Sequence, residues 1–357
     1  MTGIGIIDAD RLRLIPPQRH AEHEFCFHLH DLIVHMLRDA ELSKAAHVSI
    51  EFSEEEQLAS ITKEFGQDPI GYLEKHGYHT EVKRICINQL SLALFADMMH
   101  FVHEALKALE KRKTTVALAL LRKPLKENLF FAAWMCADED EFFHKFAKSP
   151  PDEMESERLS ASKRRQVLAD AIKKLDPKTF SDADVIYDLI YEKKTDRGLA
   201  NLFDKATHLV TSRGVHLRTE KMNLNFIFKS PLDTDVYDYV YFRIAYLLIF
   251  ALLIQTALYS RMGSLNPSYK MWVCLVALGT YHALFVDGPS PIIESLNRSL
   301  KEFLVCPYCR SRARIRKSYA AQFFIGQKLL CASCRNDSDF PLFWLLSKMN
   351  WKLSESA

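Results

Sequence analysis

Apolar positions recur at helical spacing along most of the chain. Phe25, Leu29, Leu32 and Met36 form one stripe, which predicts a helix over 20–39 after an irregular start closed by Pro16 and Pro17. A long amphipathic pattern covers 80–112, and another covers 114–138 with Pro124 inside it. A proline there removes a helical hydrogen bond and predicts a kink. "DEDEFFHKF" predicts a short helix, Ser53 a helix cap, and the patterns over 158–175 and 181–212 two further helices. Partial alternation over 215–229 reads as a small hairpin.

The most apolar stretches are 244–260 and 271–286. A membrane span needs about 20 mainly apolar residues. These runs are shorter and carry Gln255, Thr256 and His282, so they read as buried central helices and no membrane contact is expected. Ser290 followed by Pro291 marks the start of the helix that leads to Cys306.

With 11 glycines and 13 prolines in 357 residues, breakers are few, and the fold expected is mostly α: a multi-helix bundle with a small C-terminal zinc-ribbon module. The polar, proline-bearing stretch 148–166 is the candidate boundary. The division expected is a helical region 1–150, a second one 151–305 holding the apolar helices, the ribbon 306–335 and a C-terminal helix within 336–357.

Net charge is +2, so any attraction to a polyanion has to come from a local patch. The N-terminus lacks the basic-then-apolar pattern of a secretory signal. Cys26, Cys86, Cys136 and Cys274 are scattered singly, a reduced, cytoplasmic usage.

The remaining cysteines change the picture. Cys306 and Cys309, then Cys331 and Cys334, form two Cys-x-x-Cys pairs. Such turns place thiolates on one side of a knuckle, and four thiolates close a tetrahedral zinc shell with no open position, hence a structural Zn2+. The stretch resembles the zinc ribbons of many nucleic-acid enzymes and regulators, which implies a fold and not an activity. Arg310, Arg312, Arg314 and Arg316 follow at even spacing, so an extended strand turns them to one face and Ala313 and Ile315 to the other. Lys317, Lys328 and Arg335 add charge, and no acidic residue lies between Cys306 and Cys334. Arg310, Arg312, Arg314, Arg316 and Lys317 are therefore candidate phosphate contacts for RNA or DNA. The alternative is a solvated face, a protein-docking face, or pairing with an acidic run such as "DEDE" at 138–141.

Two further constellations bear on chemistry. His20, His23, His28, His30 and His35 crowd one helix, and Asp97/His100 and Glu141/His144 set a carboxylate one turn from an imidazole. Ferritin-like di-metal bundles need two Glu-x-x-His helices and two more Glu, and only Glu141/His144 fits that motif. Arg122 and Glu127 lie in an otherwise apolar helix, and His208 follows Asp204 by one turn. Over 80–260 this combination resembles bacterial HEPN-type helical proteins. That resemblance implies nucleic-acid or protein binding in stress or phage defence, or a metal-independent ribonuclease centred on Arg122, Glu127 and His208. The Arg-x(4–6)-His motif of HEPN ribonucleases has one spacing match, Arg13 to His20, and it is broken by Pro16-Pro17. No Gly-rich phosphate loop, Ser-His-Asp order signal or His-Glu-x-x-His motif occurs.

Overall fold

The computed structural model describes residues 3–52, 64–156, 158–176, 182–193, 198–210, 219, 221–225, 234–263 and 265–348. After a single turn at Ala9–Leu12 come α1 (His20–Leu42), the short helices Glu64–Gln67 and Pro69–Lys75, and α2 (His79–Glu110). Then follow α3 (Thr114–Lys123), α4 (Leu129–Ala137), α5 (Glu139–Lys148), α6 (Ala161–Ile172), α7 (Ala183–Tyr191) and α8 (Ala200–Thr207). The C-terminal part holds α9 (Asp235–Arg261), α10 (Pro267–Phe285), α11 (Pro291–Ser299), α12 (Ala320–Gly326), the antiparallel pair β1 (Lys328–Leu330) and β2 (Asp337–Asp339), and α13 (Leu342–Lys348). The fold is mostly α, as the periodicity predicts.

The apolar run expected to be central is α9. From Ile244 to Thr256 every residue is buried. α1, α2, α4 and α10 pack around it. α2 and α9 are both long and apolar enough to cross a membrane by length and composition, but 83% of the apolar window of α9 is buried inside the protein. Its few polar groups tie it to its neighbours. Tyr237 Oη donates to the Leu109 carbonyl (2.9 Å), Gln255 Nε2 to that of Ile33 (3.1 Å), and Arg261 to those of Met135 (3.2 Å) and Cys136 (2.6 Å).

Pro124 does more than kink a helix. Residues Pro124–Asn128 form a π-helical turn between α3 and α4, with Leu129 N–H donating to the Pro124 carbonyl. The loosened turn leaves the Lys126 carbonyl to accept from Tyr191 Oη (2.9 Å). The helix expected over 181–212 is divided. Leu199 N–H bonds back to the Leu189 carbonyl (2.7 Å), and Gly198 lies so close to the Asp188 carbonyl that a Cβ there would overlap it. The start of α8 therefore lies against α7 and does not continue it. Ser53 and most of the hairpin expected over 215–229 lie outside the described residues, as does the chain after Lys348.

One hydrophobic cluster takes in buried residues from Leu12 to Leu346 and runs continuously past positions 150 and 305. The cysteine-bearing segment joins it through Ile315, Phe323, Phe324 and Leu329. The packing is tight at Gly279 of α10, where a Cβ would overlap the Phe324 ring of α12. Gly279→Ala should therefore lower the unfolding free energy by about 1–3 kcal/mol, the cost of overpacking. Phe324→Leu in the same chain should return part of it. Urea unfolding of the single and double variants checks this, and strictly additive losses would show that the two residues do not compete for space.

Candidate metal centre and basic face

The two cysteine pairs are held by one backbone device built twice. Cys306 N–H donates to the Ser311 carbonyl and Arg310 N–H to that of Cys306, both at 3.0 Å. Cys331 N–H likewise donates to Asn336 and Arg335 N–H to Cys331, both at 3.0 Å. Arg310 and Arg335 both sit in the left-handed region, at φ 60° and 61°. The doubled "C-x-x-C-R" is the sequence signal for this equivalence, and cysteine spacing alone overlooks it.

The turns bring the four Sγ atoms within 4.8 Å of one another. Cys306 to Cys334 and Cys309 to Cys331 are each 3.6 Å apart. A disulfide requires about 2.05 Å. A tetrahedron with metal–sulfur bonds of about 2.3 Å has edges of roughly 3.8 Å, so the spacing fits four-thiolate coordination. Ser311 hydrogen bonds foremost draw the Cys309 thiol down to about 6. Backbone N–H groups of Cys334 and Ser333 lower that of Cys331. Cys334 accepts from the Asn336 backbone, yet burial and the three neighbouring sulfurs push it up to about 11. Four sulfurs this close do not all ionise without a cation among them. The body thiols contrast: burial raises Cys26 and Cys136, and pushes Cys274 up to about 12.

Among the described residues no other cluster can hold a metal ion in this way. Asp97 takes Lys123 Nζ and Asn128 Nδ2, each at 2.8 Å. Glu141 takes Lys163 Nζ (2.5 Å) and Trp134 Nε1 (3.1 Å). Neither Asp97/His100 nor Glu141/His144 thus belongs to an assembled di-metal site.

The segment after Cys309 is extended, but it pairs with its neighbour only through the Val305–Arg312 bridge. The alternation still holds: Arg312, Arg314 and Arg316 are exposed, Ala313 is half-buried and Ile315 is buried. Ala313 N–H donates to the Leu304 carbonyl (2.9 Å). Asn297 of α11 then stands in for a neighbouring strand. Its Oδ1 accepts from Ile315 N–H and its Nδ2 donates to the Ile315 carbonyl, both at 2.9 Å. The connection to the second cysteine pair is a 3-10 turn and α12, because Phe323 and Phe324 are drawn into the core. The antiparallel pair β1–β2 flanks the second cysteine pair.

Pairing divides the basic candidates. Lys317 Nζ donates to the carbonyls of Val286 and Gly288 (2.8 Å for the latter), capping the exit from α10. Lys328 pairs with Asp339 (2.5 Å). The side chains of Arg310, Arg312, Arg314 and Arg316 have no ion pair or hydrogen bond among the described residues. "DEDE" is committed elsewhere: Asp138 caps α5, Glu139 faces Arg261 (3.6 Å), Asp140 pairs with Lys83 (2.5 Å), and Glu141 holds Lys163.

Arg122 is half-buried on α3, Glu127 is half-buried in the π turn, and His208 is exposed at the end of α8, which packs on α3. Asp204 holds Lys193 Nζ (2.6 Å), and His208 is joined to it by backbone, N–H to carbonyl, at 3.0 Å. None of the three lines the grooves that lie against the arginine segment.

The histidine-rich helix contributes a buried ion cluster instead. Glu110 is enclosed, and Arg11 clasps it through Nε (3.1 and 3.2 Å) and Nη2 (2.5 Å). His23 Nε2 lies 3.5 Å from Glu110 Oε1, and its Nδ1 lies 2.8 Å from Tyr241 Oη. A carboxylate only accepts, so Nε2 carries the proton and Nδ1 accepts from the tyrosine. Burial alone raises Glu110, but hydrogen bonds from His23 and Arg11 and the charges of Arg11 and Lys107 outweigh it and hold the acid at about 2. Burial lowers His23 more than Glu110 raises it.

Both shifts favour the fold at neutral pH. An unfolded histidine takes its proton near 6.5 and an unfolded glutamate near 4.3, so stability falls as pH drops from about 6.5 through about 2. Glu110→Gln should be less stable at pH 7 and should decline less steeply below about pH 4.3. Urea midpoints at pH 7, 4.5 and 3 check this, and parallel declines would remove Glu110 from the explanation.

Comparison of the chain with protein-family models, with curated proteins and with solved structures finds no match.

Proposed function

We propose that this is a cytoplasmic nucleic-acid-binding protein. A structural zinc ion held by Cys306, Cys309, Cys331 and Cys334 fixes an arginine face for contact with phosphates. The observation that carries the reading is the lack of partners, among the described residues, for the side chains of Arg310, Arg312, Arg314 and Arg316. Arg11, Arg19, Arg165 and Arg261, in the helical body, are all paired. The arginine segment is also fixed along its length, by the cysteine knuckle at one end and Asn297 at the other. Exposed guanidiniums on a held backbone suit phosphate oxygens, which they engage through two parallel donors. Phosphate contacts position a protein on a strand without reading its sequence. Zinc supplies four bonds closing the two knuckles, and no open coordination position for chemistry. None of the eight cysteines is in a disulfide, which suits a reducing compartment.

Two experiments test this reading. Purified protein should hold one zinc per chain. Cys309→Ser should lose it and loosen the C-terminal segment, because such sites fold with their metal. Full metal content in that variant would remove the assignment. For the face, Arg312→Ser, Arg314→Ser and Arg316→Ser together should leave zinc and helical content unchanged. The slope of log K against log salt should shrink by roughly 0.7–0.9 per arginine removed. Anisotropy titrations of RNA and DNA at several salt concentrations measure it. Equal binding by parent and triple variant, or no binding by the parent at low salt, would leave the arginines as a solvated or protein-docking face.

A further inference from the structure

The arginine segment is one wall of a groove whose other wall is α11 and the turn that follows it. Two adjoining depressions, of about 440 and 670 Å³, share Glu294, Asn297 and Arg314 as lining residues. Arg316 lines the first, and Arg312 lines the second opposite Arg298 and Lys301. Arg298 and Lys301 are exposed, so cations face the groove from both sides, and Glu294 is the one acid lining it. The chain as a whole carries only +2, so this pull on an anion is local.

Aromatic rings adjoin the same wall. Tyr319, 47% exposed, lines a cleft with Arg314, Arg316 and Lys328. Tyr308, 63% exposed, lies inside the first cysteine pair, two residues before Arg310 at the start of the arginine segment. Exposed aromatic side chains beside a two-walled cationic groove are what an unpaired strand requires: the walls track the backbone, and each ring offers a face on which a base stacks. A duplex keeps its base faces covered and cannot use the rings.

We infer that the partner of this face is a single strand of nucleic acid, its backbone lodged between Arg312, Arg314 and Arg316 on one side and Arg298 and Lys301 on the other, with bases stacked on Tyr319 and Tyr308. The inference rests on the nucleic-acid reading above and narrows it to one strand and one path.

The test uses the full chain and fluorescence anisotropy with labelled oligo(dT), oligo(U) and a mixed-sequence duplex of equal length at low salt. Metal content and thermal melting are checked for every variant. The single strands should bind at least about tenfold more tightly than the duplex. Arg298→Ala with Lys301→Ala should weaken single-strand binding and reduce the salt slope by about 1.4, two contacts at ~0.7 each. Tyr319→Leu and Tyr308→Leu should each weaken it about fivefold or more and leave the salt slope unchanged, because stacking releases no counterions. Duplex binding as tight as single-strand binding would overturn the inference. So would unaltered affinity in the Arg298/Lys301 variant while the triple arginine variant loses binding; the nucleic-acid reading would then stand without the groove. Competition by a poly-glutamate peptide as effective as oligo(dT) at equal charge would overturn the single-strand assignment. Failure to bind any of the three probes would remove both readings.

Discussion

The fold depends on a helix buried on every side. α9 presents no face to water from Ile244 to Thr256, so each of its neighbours has to offer it an apolar stripe. α1, α2, α4 and α10 do so. A helix satisfies its own backbone hydrogen bonds, which is why such an apolar segment can lie in the interior without stranding polar groups. Its polar side chains then set position: Tyr237, Gln255 and Arg261 each reach the carbonyl of a different neighbouring helix.

Burial of two carboxylates organises the start of the chain around that core. Glu110 draws in Arg11, and Glu24 of α1 accepts the successive backbone N–H groups of Ile4, Gly5, Ile6 and Ile7. A charge removed from water has to be paired or hydrogen-bonded, and these residues meet that need for Glu24 with backbone alone. Gly3 and Gly5 make it feasible. A Cβ at Gly3 would overlap the Glu24 carboxylate, and Gly5 holds φ at 93°. Gln322 of α12 also donates to the Gly3 carbonyl (3.4 Å), so the first residues bridge α1 and the cysteine-bearing segment.

That segment is clamped between a metal-type centre and the hydrophobic core. The four sulfurs fix its outer end, and Phe323 and Phe324 seat its inner end on α10. An extended chain between two such anchors has little freedom, and Asn297 removes more by satisfying both backbone groups of Ile315. Arg312, Arg314 and Arg316 thus project from a backbone held at both ends.

By itself the sequence determined what local period and spacing encode. The 3.6-residue pattern gave the principal helices, Phe25, Leu29, Leu32 and Met36 being buried on one face as read. The paired cysteines marked the sulfur cluster, and the even spacing of Arg312, Arg314 and Arg316 marked the exposed face. Tertiary structure alone decided the partners. Lys317 looks like one more cation of the basic face, yet it caps α10 because Val286 and Gly288 come within its reach. "DEDE" is spent on Lys83, Lys163 and Arg261, and the opposite wall of the groove comes from Arg298 and Lys301. Helical period and ligand spacing act over a few residues of chain, so they are legible there. Ion pairs, caps and grooves join residues far apart in sequence, and only packing brings those together.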